Sequence, residues 1–394
     1  MNKLNVFLRK MRARLNNIFT RGTPPKQGKK ILFISNSNIP TLQLSFLKPL
    51  AAAVANGKYS YEIITEQNLK DLFGKNLGGK KAEAYLIDRA RKSQADVAIF
   101  CRYSGPHAAA LLKFFTERSI PSIYHIDDDL LNIPLELGKK KYEYHNHPAR
   151  KEAVRYLLNY IDLIYCSNQR LAQRLKQYGI QKDFYSGDIY ASGNIINKPE
   201  IRLVCKIGYM GGIDHAHDLE IIVTALEKIL DQFRDISFEL FGPIPKPQAL
   251  DRFGSRVVLI PPVSGYGDFM NKFSQLHWDI ALCPLASIPF NMVKSNTKWV
   301  EYSSVGAAVI ASKGTIYDEC CANEAGILSE DHEWYSNIKL LIEDDDLRFK
   351  LLSNAQEKIA SSFTEEHLFS QIERAIQLAS AQVARRHPPI GGSV

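Results

Sequence analysis

Residues 289–306 read PFNMVKSNTKWVEYSSVG and set two lysines where a helix would begin. Trp299, Tyr302 and Val305 fall on one apolar stripe, so the second half of the segment predicts a helix. Ser295 is the expected N-cap. Lys298 then stands in the first turn and Lys294 just before the cap, with no acid in that turn to offset them. Cations at a helix start oppose the helix dipole by roughly 0.3–1 kcal/mol each. Two readings account for the lysines. They are solvated surface residues, or the free N–H groups, the Ser295 hydroxyl and both ammonium groups converge on a phosphate or diphosphate. On a helix Lys294, Lys298 and Glu301 share one face, with Glu301 about 10 Å along the axis from the first lysine. A carboxylate at that distance suits the two hydroxyls of a ribose, so this one face can read a nucleoside diphosphate at both ends.

Two further stretches carry candidate chemistry. In KIGYMGGIDHAHDLEIIV a strand runs into a turn containing Gly211 and Gly212, ahead of a long helix. Such a turn lets backbone approach a ligand closely, and the helix start favours an anion. The pattern is neither G-x-G-x-x-G nor a P-loop. His215, His217 and Asp218 read equally well as first-turn residues, with Asp214 as N-cap. In SIYHIDDDLLNIP, the residues His125, Asp127, Asp128 and Asp129 cluster at a strand end. Consecutive acids suit a hard cation, but neighbouring side chains of extended chain point in different directions. One or two of them facing a cleft, with Asp129 capping the next segment, is the expectation beside a merely solvated turn.

The elements that would position these residues alternate along the chain. KILFISNS, YEIITE, DVAIFCRY, SIYHIDD and DLIYCSN read as strands separated by helices, the pattern of a parallel α/β layer. Tyr185–Pro199 reads as a linker. The alternation then restarts with RLVCKIGYMG, ISFELFG, RVVLIPP, DIALCPL, AAVIAS and AGILS, and the chain ends in helices. The expected division is an N-terminal domain over 30–190, a C-terminal domain over 200–364, and a last helix over 365–385. Two doubly wound sheets in tandem make a cleft, and ligands bind such sheets at the carboxyl ends of their strands.

Composition narrows the partners. The chain has 394 residues and a net charge of +8, but eleven Lys and Arg residues lie in 1–61, ahead of the first acid at Glu62. The body is therefore close to neutral, and no nucleic-acid-binding motif is present. The first 22 residues form a basic amphipathic pattern in which Leu4, Phe7, Leu8, Met11, Leu15, Ile18 and Phe19 make one stripe. Through residues 2–21 such a helix can lie on an anionic membrane, pack on the body or pair with a partner. No secretory h-region and no spanning segment is read, and the six cysteines show no C-x-x-C spacing. A cytoplasmic protein, peripheral on the membrane at most, with neither a structural zinc nor a disulfide framework is expected.

With these pieces together, the chain resembles the retaining glycosyltransferases of family 4, which have the GT-B fold. The resemblance covers about residues 30–380 and rests on IGYMGG followed by HDL, on FELFGP and DIALCPL, and above all on PFNMVKSNTKWVEYSSVGAAVIAS. It implies transfer of a sugar from a nucleotide-sugar donor to a glycan or lipid-linked glycan acceptor, with no cofactor and no metal. By resemblance Glu301 is the second glutamate of the family's E-x7-E pattern, contacting the donor ribose. The first falls on Val293 and is missing. The Arg and Lys that hold the diphosphate after the glycine turn are also missing, and Lys294, Ser295 and Lys298 are expected to supply that charge. Gly211, Gly212 and His215 complete the implied donor site. His125 is the positional match for a histidine near the transferred sugar, and Asp127 and Asp128 are assigned to acceptor or sugar. The competing expectations are a nucleotide-sugar epimerase of the same shape and a catalytically silent GT-B module that binds glycan or scaffolds an assembly.

Overall fold

The computed structural model describes residues 28–386. The basic helix expected over 1–22 lies outside them. The described chain forms two six-stranded sheets, and every strand pairing in both is parallel. The first sheet holds β1 (Lys29–Ser35), β2 (Tyr59–Thr65), β3 (Val97–Cys101), β4 (Ser122–Ile126), β5 (Leu163–Cys166) and β6 (Phe184–Ser186), in the order β2-β1-β3-β4-β5-β6. The second holds β7 (Lys206–Met210), β8 (Ser237–Phe241), β9 (Val257–Ile260), β10 (Ile280–Cys283), β11 (Ala308–Ser312) and β12 (Ile327–Ser329), in the order β12-β11-β10-β7-β8-β9. Each order reverses once, between β1 and β3 and between β7 and β10. A crevice opens at the carboxyl ends beside such a reversal.

The central strands are buried on both faces, which is why they read as continuous apolar runs. Gly208 on β7 has a packing reason. A Cβ there would lie 1.9 Å from the Trp278 ring, so the missing side chain lets that fully buried indole lie against the strand. Trp299 and Tyr302, the stripe expected on the helix Thr297–Ser304, are likewise fully buried. The Met210 amide donates to the Tyr302 hydroxyl at 2.8 Å, which pins this helix to the end of β7. Gly306, at φ +89°, then turns the chain into β11.

The last helix, Glu365–Arg386, returns to the first sheet. Ile372, Ala375, Ile376 and Ala379 enter the core formed by Ile31, Phe33, Ile99 and Ile123. Tyr59 donates to Glu373 at 3.1 Å, and Arg386 pairs with Asp162.

Three local expectations are corrected. Phe184–Ser186, which overlaps the presumed linker, pairs with β5 as the edge strand β6. The single helix expected after the glycine turn is two, Ala216–Glu220 and Val223–Gln232, preceded by a 3-10 turn over Ile213–His215. The N-cap of the helix Thr297–Ser304 is Asn296, not Ser295, so Lys294 lies in extended chain two residues ahead of the cap, at ψ 174°.

Candidate functional site

A cavity of about 770 Å³ opens between the carboxyl ends of the two sheets. Asn38 and Pro40 reach it from beyond β1, Arg102 from beyond β3, and Asp127 and Asp128 from beyond β4. From the second sheet come Met210 at the end of β7, Asp214 and His215 in the glycine turn, and Val263, Tyr266 and Phe269 after β9. Leu285 follows β10, Lys294, Ser295 and Glu301 come from the quoted segment, and Tyr317 follows β11. The cavity thus has a charged middle and an apolar, aromatic side.

On the first sheet's side one guanidinium organises two acids. Arg102 lies 2.9 Å from Asp127 and 2.8 Å from Asp128. Thr41 donates to the other oxygen of Asp127 at 2.8 Å, and the Tyr190 hydroxyl donates to Thr41 at 3.0 Å. Arg102 holds φ +50°, a left-handed conformation that costs a non-glycine residue of order 1 kcal/mol or more. Its amide donates to the His125 carbonyl at 2.9 Å, which fixes that turn and aims the guanidinium at the acids. Burial raises the Asp127 carboxyl, and Arg102 only partly offsets it. Burial acts on Asp128 too, but Arg102, Lys294 and Lys141 outweigh it and hold that carboxyl below the ordinary range. The two adjacent carboxyls are therefore shifted in opposite directions, Asp127 upward by burial and Asp128 downward by the cations around it. Asp129 is turned away and accepts from the Leu131 amide and the Tyr178 hydroxyl.

His125 does not reach the cavity, and its assignment to the sugar is corrected. It is a β4 residue inside the doubly covered sheet, 1% exposed. Its Nδ1 lies 3.2 Å from the Tyr165 carbonyl, and its ring packs edge-on against Phe46. Burial pushes its pKa down to about 3, so it is a neutral core residue.

On the second sheet's side the lysines differ from each other. The side chain of Asn168 donates to the carbonyls of Val293 and Lys294 at 2.9 and 3.1 Å, so the first sheet's loops hold this segment in place. The Lys294 ammonium is buried with no hydrogen-bond partner, 5.3 Å from the Phe290 ring centroid. Burial lowers its pKa, and Asp128, Asp218 and Asp214 counteract that from a distance. A buried ammonium without a partner is costly unless something arrives to pair with it. Lys298 stands behind the cavity wall instead. Its ammonium donates to the Tyr209 hydroxyl at 3.1 Å and lies 4.4 Å from that ring's centroid. Burial brings its pKa down to about 8 despite Asp218. Ser295 faces the cavity with its hydroxyl 3.0 Å from that of Thr297.

Glu301 lines the cavity at 6% exposure. Burial raises its pKa to about 7, against the opposing influence of Tyr266, Lys298 and Lys48. Such a carboxyl keeps much of its hydrogen-bonding capacity for a ligand's hydroxyls. Gly211 and Gly212 do not line the cavity but make room for what does. A Cβ on Gly212 would lie 2.6 Å from an Asp214 oxygen, and one on Gly211 3.0 Å from the His215 Cβ. Asp214 is not an N-cap; it pairs with Lys141 at 2.7 Å. His215 Nδ1 lies 2.9 Å from Asp218, whose other oxygen accepts from the Ala286 amide and from Asn291. Burial and Lys298 keep His215 neutral, with a pKa lowered to about 4. With Nδ1 engaged, Nε2 is the nitrogen left for a ligand.

The structure thus brings Asp127, Asp128, His215, Lys294, Ser295 and Glu301 to one cavity, puts Lys298 one layer behind it, and removes His125. Sequence reasoning missed Arg102, Thr41, Tyr190, Asn168 and Lys141. Only Arg102 carried a usable signal, since it follows β3 beside the strand-order reversal.

No protein-family profile and no curated protein matches this chain. Solved structures do. A variant of S. aureus TarM in complex with Fondaparinux, α-GlcNAc-glycerol and UDP superposes with a TM-score of 0.54 and 14% identity, over 75% of this chain and 58% of that one. An α-glucosyltransferase in complex with UDP and a 13-mer DNA containing an HMU base gives 0.58 and 11%, over 89% of this chain and 99% of that one. The fold is GT-B. The pneumococcal O-GlcNAc transferase GtfA, with UDP and GlcNAc, gives 0.54 and 11%, over 76% of this chain and 59% of that one. A Listeria monocytogenes protein described as a UDP-N-acetylglucosamine 2-epimerase gives 0.53 and 12%, over 89% and 96%. The GT-B matches to TarM and GtfA therefore span under two thirds of those longer chains.

Proposed function

We propose that this chain is a glycosyltransferase that moves a sugar from a nucleoside-diphosphate donor to a glycan acceptor. The observation that carries the proposal is the buried, unpartnered Lys294 ammonium facing an interdomain cavity, with Glu301 further along the same wall. Three of the similar structures hold UDP, which supports a nucleoside diphosphate as the ligand for this arrangement. Lys294 and Ser295 contact the diphosphate, and Lys298 adds positive charge from behind. Glu301 takes the ribose, and Tyr266 and Phe269 flank the nucleoside. Asp127 and Asp128, set by Arg102, bind the acceptor or the transferred sugar.

The chemistry asked of the protein is stabilisation of charge on the departing diphosphate and alignment of two substrates. With retention, the acceptor hydroxyl attacks from the face the diphosphate leaves, and a phosphate oxygen takes its proton. The acceptor is proposed to be lipid-linked, with residues 2–21 holding the enzyme to an anionic membrane. Among the described residues no helix is long and apolar enough to cross a membrane. Incubation of full-length protein with UDP-, GDP- and ADP-sugars, with and without glycan acceptors, tests the proposal. Acceptor-dependent release of nucleoside diphosphate supports it. Conversion of the donor sugar to its epimer without any acceptor overturns it in favour of the epimerase reading.

A further inference from the structure

The glycine turn of the second sheet carries no cation, yet it carries an acid aimed into the cavity. Asp214 follows Gly212 in the 3-10 turn Ile213–His215, and its carboxylate lines the same wall as Lys294. Burial would raise this carboxyl, but His215, Lys141 and Lys294 hold it well below the usual range, so it is fully ionised.

The cation that neutralises Asp214 comes from the other sheet. Lys141, on the helix Lys139–Asn146, reaches across the cleft to place its ammonium 2.7 Å from the Asp214 carboxylate. Both side chains are half-buried and both line the cavity. The same ammonium contributes to holding Asp128 ionised, so Lys141 lies in the field of the acids on its own side as well. A lysine is a point charge on a flexible stem and exchanges one oxyanion for another without a fixed fork geometry.

We propose that Lys141 is a diphosphate ligand supplied by the first sheet, and that Asp214 occupies its place until the diphosphate arrives. This rests on the reading of the cavity as a donor site. Binding exchanges a carboxylate for a phosphate on Lys141, and release of the leaving diphosphate returns it to Asp214. Asp214 thereby weakens the hold on the product while keeping the cross-cleft lysine ordered between turnovers. A pair that served only to brace the two halves would behave differently. Either substitution would then loosen the cleft, and both would weaken binding.

Titration calorimetry with UDP, GDP and pyrophosphate on the full-length protein separates the two. Lys141→Met should weaken diphosphate binding roughly 10-fold, as loss of one charge-assisted contact does, and leave uridine binding unchanged. Asp214→Asn should tighten diphosphate binding several-fold, with melting temperatures confirming that both variants fold. Equal weakening by both substitutions, or no change from Lys141→Met, overturns the inference. Lys294→Ala is the control for the underlying reading. If it abolishes binding while Lys141→Met does nothing, the donor site stands and only the role of Lys141 falls. If the unaltered protein binds no nucleoside diphosphate and no pyrophosphate, both fall.

Discussion

Replacing Lys294 by methionine should make the ligand-free protein more stable and the ligand-bound one much weaker. The substitution keeps the length and apolar body of the side chain and removes the ammonium. That ammonium is buried and makes no hydrogen bond, although it lies 5.3 Å from the Phe290 ring centroid. Leaving such a group unsatisfied costs about 1–3 kcal/mol or more, and the attraction of an ammonium to an aromatic face returns about 0.5–2 kcal/mol of it. The net gain on removal is therefore of order 1 kcal/mol, a rise of roughly 1 °C in melting temperature for a chain of this size. Its sign is fixed by burial. The lowered Lys294 pKa means the folded state disfavours the charged form. The penalty is absent at pH above the unfolded value, grows as pH falls below it, and is complete once pH is below the folded value. The stabilisation by Lys294→Met should accordingly be larger at pH 6 than at pH 10. A bound diphosphate reverses the balance, because the ammonium then has a charged partner worth about 1.5–3 kcal/mol. Affinity for nucleoside diphosphate should drop roughly 10- to 100-fold. Turnover should drop further, since charge on the leaving group grows toward the transition state. Calorimetry and thermal melts at two pH values read both effects. A variant less stable than the parent at pH 6, with unaltered nucleotide affinity, would refute the reasoning.

Glu301→Gln should stabilise the protein at pH 8 by up to about 3 kcal/mol and leave it unchanged at pH 4. The folded pKa is raised to about 7, so ionisation costs stability as pH climbs past the unfolded value and the loss is complete above 7. The same variant should weaken nucleoside diphosphate binding more than pyrophosphate binding, as calorimetry of both ligands would reveal. At the acid pair, Asp128→Asn should lower turnover more than Asp127→Asn, because Arg102, Lys294 and Lys141 outweigh burial and favour the charged form of Asp128, whereas burial disfavours that of Asp127. Neither should much alter nucleoside diphosphate affinity, and activity that EDTA abolishes and manganese restores would contradict their assignment to acceptor or sugar. Deleting residues 2–21 should move the protein from the membrane pellet to the supernatant while activity on a soluble acceptor persists. Equally poor flotation of the full-length chain with neutral and anionic liposomes would count against the membrane role.

Eleven of the twelve strands among the described residues are legible in the sequence: the central ones are apolar throughout because both their faces are covered, and β2, β9 and β12 keep short apolar or β-branched runs although they are partly exposed. The strand β6 is not legible, since three half-buried residues at a sheet edge carry no such run. The site was partly readable. Lys294 stands out in the sequence because cations near a helix start need a reason; with the cap at Asn296 it precedes the helix in extended chain, and Glu301 lines the same cavity. His125 is not legible as a core residue because in sequence it stands next to an acidic cluster and nothing local separates their exposures. Residues within a doubly covered strand face the helices, whereas Asp127 and Asp128, just beyond the end of β4, face the cleft. The partners that give the acids their character come from elsewhere. Arg102 lies 25 residues before Asp127 and Thr41 lies 86 before it, and Asn168 meets Lys294 over a separation of 126. No local pattern encodes such meetings; they follow from the strand order that brings the carboxyl ends together.

The central claim is that this cavity holds a nucleoside diphosphate across Lys294 and Glu301. A crystal structure of the full-length protein with the nucleoside diphosphate that binds best tests it most directly. The account predicts the diphosphate within hydrogen-bonding distance of the Lys294 ammonium and the ribose hydroxyls on Glu301. A nucleotide bound away from both residues, or no binding by any of UDP, GDP and ADP, would contradict it.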